Sequence, residues 1–347
     1  MLSQTRLNEL RARLEGASCP AFLFDNDADG LCSFLLAHRA LGKGFGIPVR
    51  SYPALDVGYG EQALTRGADL LVVLDKPVLS EAFVLFAKEH HLPLLSIDHH
   101  AIDKPDWKML YADYEEYNPA LLSGKGKSDE PVSYIVYHVF SRSEDLWLMV
   151  AGCIADHYLP VEWNAFSKQY PSFGGKVSDP FEAYYTTPLG DIVQACNFGL
   201  KDSLSAVKKL LAFLSSCAHT SLVLSEQAPS SFLEKNASLR AELERLLGES
   251  VQRGPLHLVQ YSGPTSMSAD VANKLTFLYP GSYVLVAYQK GSLTNLSLRG
   301  KRVKELFTRL LPSFSGLIGG GHAEAVGGRI PSKDVASFIT AFEKELT

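Results

Sequence analysis

Three runs in the first third of the chain are apolar at nearly every position: AFLF at 21–24, LLVVL at 70–74 and LPLLSI at 92–97. Helical patterns separate them, at about 30–41 and 80–90. A strand with one wet face alternates apolar with polar residues, whereas a strand buried on both faces does not. The alternation of such runs with helices therefore predicts an α/β fold with a parallel sheet covered on both sides. In such sheets ligands bind beyond the carboxyl ends of the strands. Each of the three runs ends in an acid at that edge: Asp25, Asp75, and Asp98 followed by His99 and His100.

The chain has 347 residues, and single cores stop growing at roughly 250–300, so two domains are expected. Residues 1–200 read as the first, 201–250 as a helical linker and 251–347 as a smaller α/β domain. Within the first, 101–130 reads as a loop containing Asn118-Pro119 and the polar run SGKGKSDE, with helices at 131–141 and 144–156; 160–200 carries no clear pattern. Helices are expected at 202–217 and 229–249, the second charged enough to bridge domains. From Leu256 a new alternation begins: HLVQY, a helix near 268–279, YVLVAYQ, LTNLSLR, a helix near 302–311, a GGGH loop, AVGGRI and a last helix.

With 46% hydrophobic and 20% charged residues the composition is that of a globular protein. The formal charge of -5 argues against a globally basic surface for duplex nucleic acid and leaves room for a local basic groove. Five cysteines without a CxxC pair argue against a disulfide framework or a thiolate zinc site. The opening MLSQTRLNELRARLEG reads as a charged amphipathic helix without a signal core, and no stretch reaches the roughly 18 apolar residues of a membrane span. A cytoplasmic protein that does not enter membranes is expected.

Asp25-Asn26-Asp27-Ala28-Asp29-Gly30 packs three carboxylates into the end of a buried strand, where their repulsion is costly unless a cation neutralises them. Hard oxygen donors suit magnesium, manganese or calcium. An EF-hand loop opens in the same way but needs a carboxylate at its twelfth position, which here is Leu36. A solvated acidic turn is the other reading of this motif. Asp98-His99-His100 is weak by itself, since histidine pairs often lie on surfaces. It gains weight from its place at the same sheet edge, and an imidazole among carboxylates favours manganese over calcium or magnesium. Asp156 ends the apolar helix AGCIA, where an acid is electrostatically unfavourable unless something binds it; a surface aspartate is the alternative. Gly319-Gly320-Gly321-His322 would let backbone N–H groups approach an anion, unless it is a plain glycine turn. Arg299, Lys301, Arg302 and Lys304 form the densest basic run, with Arg299 placed to face a cleft; such runs are usually solvated.

Taken in order, DNDADG, the aspartate ending LLVVLD, DHH, the aspartate of GCIAD and GGGHAEAVG resemble the DHH phosphoesterase family with its DHH-associated C-terminal domain, most closely the RecJ-like nuclease branch. The resemblance spans nearly the whole chain. It implies an N-terminal parallel-sheet DHH domain, a smaller C-terminal domain and an active site in the cleft between them. It also implies two metal ions, manganese with magnesium as the alternative, one on Asp25 and Asp75 and the other on Asp27, Asp75, His99 and Asp156. Asp29 and Asp98 would support these ligands, His100 would touch the scissile phosphate, and Arg299 with Gly319, Gly320, Gly321 and His322 would hold the adjacent phosphate or the terminal nucleotide. The implied reaction is in-line attack by metal-activated water, with the ions about 3.5–4 Å apart.

Two departures stand out: Ala21, where some branches carry a metal-binding histidine, and Lys76-Pro77 after Asp75, where the family often has a small residue and glycine. The leading expectation is an exonuclease that cuts single-stranded DNA or RNA to mononucleotides. A nanoRNase or other short-oligonucleotide hydrolase, or a cyclic-dinucleotide phosphodiesterase, is the alternative. From another class comes an inactive DHH scaffold that binds replication or repair factors.

Overall fold

A computed structural model describes residues 1–51, 53–122 and 128–346. They form two compact units, Met1–Lys235 and Asn236–Thr347. In the first unit five parallel strands run in the order β2-β1-β3-β4-β5: β1 (Pro20–Asp25), β2 (Phe45–Val49), β3 (Leu70–Leu74), β4 (Leu94–Ile97) and β5 (Tyr114–Tyr117). Side chains alternate across the sheet and fill two cores. Phe22, Phe24, Leu70, Val72, Leu74, Leu95 and Ile97 pack into one, while Ala21, Leu23, Leu71, Val73 and Leu94 pack into the other. The expected burial on both faces is thereby observed, as period-two side-chain direction requires of an all-apolar strand.

The long helices α1 (Gln4–Gly16) and α2 (Ala28–Leu41) contribute to the first core, and α3 (Val57–Thr65) and α4 (Glu81–Glu89) to the second. The stretch 101–130, expected as loop, contains a short helix α5 (Trp107–Leu110) and the edge strand β5. Its sequence YEEY is half polar, which an edge strand tolerates and a search for apolar runs passes over. Within the run SGKGKSDE, residues 123–127 lie outside the described residues.

Helices α6 (Val132–Phe140) and α7 (Leu146–Ala155) follow. The unpatterned 160–200 folds as α8 (Trp163–Gln169), α9 (Pro180–Thr186) and α10 (Pro188–Leu200). Asp179 and Thr187 accept the capping bonds of α9 and α10, each with proline in its first turn. Helix α11 (Leu204–Ser216) buries Val207, Leu210 and Leu214 in the first core, and α12 (Ser230–Gly248) runs through the boundary between units. Among the described residues no helix is long and apolar enough to cross a membrane.

The second unit has a six-stranded mixed sheet in the order β10-β11-β9-β8-β7-β6. Its strands are β6 (Val251–Arg253), β7 (Leu256–Ser262), β8 (Tyr283–Lys290), β9 (Leu293–Arg299), β10 (Ile318–His322) and β11 (Ala325–Pro331). Only β7 and β8 pair in parallel, joined through α13 (Ser268–Leu278); α14 (Val303–Leu310) and α15 (Val335–Glu345) help close a separate core. The GGGH segment, expected as a loop, is instead β10, an exposed edge strand paired antiparallel with β11. A Cβ on Gly319 would meet the Gly327 carbonyl oxygen at 2.4 Å, and one on Gly321 the Ala325 oxygen at 2.2 Å. The glycines thus permit a close strand pair rather than a turn.

Candidate metal centre

Strand order 2-1-3 places a topological switch between β1 and β3, the position at which doubly wound sheets open a crevice. Register then aligns the acids. Phe24 pairs with Leu74, and Leu74 with Ile97, so Asp25, Asp75 and Asp98, each the next residue, come level at one edge. Gly30 lets α2 start directly behind β1, since a Cβ there would lie 2.4 Å from the Asp25 carbonyl oxygen. Asp27 caps α2 by accepting the Gly30 N–H at 2.9 Å.

Asp75, His99 and His100 each offer a ligand atom, all within 4.8 Å of one another. Asp75 has φ 58, the left-handed region that a non-glycine residue adopts at a cost. His99 Nε2 lies 3.4 Å from Asp75 Oδ1 and 3.3 Å from Asp156 Oδ2. Both His99 Nε2 and Asp75 Oδ1 are buried without a hydrogen-bond partner among the described residues, a costly arrangement that a cation would relieve. His99 Nδ1 lies 3.3 Å from the Asp129 carbonyl oxygen; donation there leaves Nε2 as the ligand atom. The donor set of carboxylate oxygen and imidazole nitrogen therefore fits a divalent cation such as manganese.

The neighbours play different parts. Asp98, fully buried, receives His100 Nδ1 at 2.8 Å, Asn118 Nδ2 at 3.3 Å and Lys104 Nζ at 3.5 Å, so it orients the imidazole. Asp29, also buried, turns away from this cluster: its oxygens accept the N–H groups of Val132 and Ser133 at 2.9 and 3.1 Å. It caps α6, whose own preceding residue, Pro131, supplies no side-chain cap. Asp25 is paired with Lys76, whose buried Nζ donates to Oδ1 at 3.1 Å. In the second unit Arg299 ends β9 and donates to Asn273 Oδ1 at 2.8 Å and to the Leu298 carbonyl, while Gly319 to His322 lie on the exposed edge.

The charges follow from this crowding. Burial, then Asp25, with Asp29 and Asp156 adding, pushes Asp27 up to about 8 against the Gly30 bond. Burial together with Asp27 and Asp29 holds Asp75 well above the usual carboxylate range, with His99 pulling the other way. Asp156, whose side chain is still 40% exposed, is raised to about 6, its partial desolvation among the neighbouring groups outweighing His99. Burial opposes the charge on His99, but the adjacent carboxylates of Asp75, 3.4 Å away, and Asp156 overcome it and hold His99 at about 11. Asp98 is lowered: burial works against its charge, and His100 and Lys104 outweigh it. Without a cation the cluster thus keeps protons that a metal ion would displace.

Lys76 stood out in the sequence as a departure beside Asp75, though not as a partner of Asp25. Lys104, Asn118 and the Asp129 carbonyl escaped the sequence reading of the site, since they arrive through tertiary contact.

No family model and no curated protein matches the sequence. Solved structures resemble the fold. RecJ from Thermus thermophilus, solved with Mn2+, is similar over 99% of this chain with TM-score 0.68 and 18% identity, and this chain spans about half of it, 55%. The DHH domain of a member of the s1p family of ribosomal proteins is similar over 99% of this chain and 89% of its own, with TM-score 0.65 and 14% identity. The pGpG-specific phosphodiesterase PggH from Vibrio cholerae is similar over 94% of this chain and 98% of its own, with TM-score 0.53 and 12% identity. Two α/β units, an all-parallel sheet and acids at its carboxyl edge accompany that likeness, and the chain has the RecJ-like fold of the DHH proteins.

Proposed function

We propose that the chain is a metal-dependent phosphodiesterase, an exonuclease that hydrolyses single-stranded DNA or RNA to mononucleotides. The observation that carries this reading is the orphaned pair of buried donors, Asp75 Oδ1 and His99 Nε2, at the switch point of the sheet. Asp75, His99 and Asp156 would hold a manganese or magnesium ion, with Asp27 beside them. The second ion that the resemblance implies would fall on Asp25 and Asp75. Divalent cations at such a site supply Lewis-acid charge on phosphoryl oxygens and lower the pKa of water.

The protein's own contribution is placement. The Asp129 carbonyl fixes the His99 ring, and Asp98, with Asn118 and Lys104 behind it, fixes His100 so that its imidazole can donate to the scissile phosphate. In the second unit Arg299 and Gly319 to His322 are assigned to phosphate or terminal-nucleotide binding. Replication or repair factors are the partners such an activity would suit, and the cytoplasm the expected location. The likeness to PggH supports a second reading, hydrolysis confined to dinucleotides and other very short oligonucleotides.

The test is hydrolysis, with Mn2+ and without, of single-stranded DNA and RNA labelled at either end and graded in length, alongside Asp27→Ala. Manganese-dependent release from one end, lost in the variant, supports the exonuclease. Activity only on the shortest substrates supports the second reading. Metal binding without hydrolysis of any of them would favour a scaffold.

A further inference from the structure

We infer that the Lys76 ammonium is the resident cation of the Asp25 arm, so that the centre takes a single divalent ion on the Asp75–His99 side. This rests on the metal-dependent reading above and concerns only the number of ions and what replaces one of them.

Lys76 follows Asp75 at the end of β3, and its side chain is 6% exposed. A buried ammonium requires an anionic partner, and its Nζ lies 3.1 Å from Asp25 Oδ1. The Asp25 arm is therefore already neutralised, by an ammonium with three donors of which Asp25 occupies one. A divalent ion on the same carboxylate, whose side chain is 32% exposed, would face that ammonium across a few ångströms, and the two like charges would repel. The two occupants exclude each other. Among the described residues no lysine intervenes on the other arm in the same way: the buried Asp75 Oδ1 and His99 Nε2 have no hydrogen-bond partner there. The atoms of ligand type that, among the described residues, lie within 4.8 Å of one another belong to Asp75, His99 and His100, and Asp25 is not part of that group. One arm is thus complete without a metal and the other is incomplete. A lysine is a compact point charge suited to phosphate, so Lys76 can take over the charge stabilisation that a second ion would give a substrate phosphate.

The experiment counts ions. The full chain is titrated with Mn2+ alone, bound metal is measured by equilibrium dialysis, and the electron paramagnetic resonance of the bound ion is recorded. One Mn2+ per chain with the spectrum of an isolated ion is expected, against two exchange-coupled ions in Lys76→Ala. Lys76→Arg, which keeps the positive charge, should stay at one. Asp25→Asn should also retain one ion, which keeps the inference testable if Lys76→Ala does not fold. Two ions in the wild-type chain, one ion in a folded Lys76→Ala, or loss of the ion in Asp25→Asn would each overturn the inference while leaving a metal-dependent enzyme intact. No bound ion at all would overturn it together with the functional reading it rests on.

Discussion

His99 and Asp98 are neighbours in the chain, yet they do separable work. His99 turns an unpartnered Nε2 toward Asp75 and Asp156, so His99→Ala should lower Mn2+ affinity by about 100-fold or more and abolish turnover. Among the described residues the Asp98 carboxylate bonds His100 and the residues beside it, Asn118 and Lys104. Asp98→Asn should leave Mn2+ affinity within a few-fold while lowering the rate by about 10–100-fold. Calorimetric Mn2+ titration beside steady-state kinetics separates the two; equal losses of affinity would contradict the division. The aspartates and histidines of this edge were legible in the sequence because each immediately follows an apolar strand. What Asp29 does was not legible, because its partners, Val132 and Ser133, lie about a hundred residues away.

At the scale of elements, Asp29 belongs in sequence to the acidic motif and in space to α6. Replacing it by asparagine leaves one of two buried backbone N–H groups facing an amide that cannot accept both bonds. Asp29→Asn is expected to destabilise the first unit by about 2 kcal/mol in denaturant unfolding, within the range for a lost cap or buried hydrogen bond. Gly152 in α7 completes the same joint, since a Cβ there would meet Ser133 Oγ at 2.3 Å and Asp29 Oδ1 at 2.9 Å. The elements that sequence reading located, β1, β3 and β4 above all, are central strands with apolar residues on both faces. The strands it passed over are edges. β2 contains Gly46 and Pro48, β5 contains two glutamates, and β10 is mostly glycine. An edge strand has one hydrogen-bonding side free of the sheet, so proline and polar residues survive there, and the apolar pattern that marks a strand fades. The caps and prolines opening α9 and α10 were readable local signals that an aromatic-rich stretch obscured.

At the scale of the whole molecule, the three tryptophans, Trp107, Trp147 and Trp163, all lie in the first unit, so their fluorescence reports the unit that carries the candidate metal centre. In the metal-free chain the raised carboxyls make the folded state the better proton binder. Asp27, ionising near 3.9 when unfolded and at about 8 when folded, gives stability that is full below the lower value and lost as pH rises to the upper one. His99 acts in the same sense, giving stability below about 6.5 that is lost as pH rises through about 11. Mn2+ must displace these protons, so its binding strengthens with pH. The rise in the tryptophan-monitored midpoint on adding Mn2+ should therefore be larger at pH 8 than at pH 6, by several degrees at about 2–4 °C per kcal/mol. An equal rise at both pH values would count against a proton-linked centre.

The left-handed backbone of Asp75 has a further consequence. Its carboxylate is buried and crowded by like charge, and its φ of 58 suits glycine better. In the absence of metal, Asp75→Gly should stabilise the fold against denaturant by about 1 kcal/mol, while removing the ability to hold the ion. Durability and chemistry are then in direct opposition at one residue, and a screen for heat-resistant variants of this chain would be expected to recover inactive ones there first.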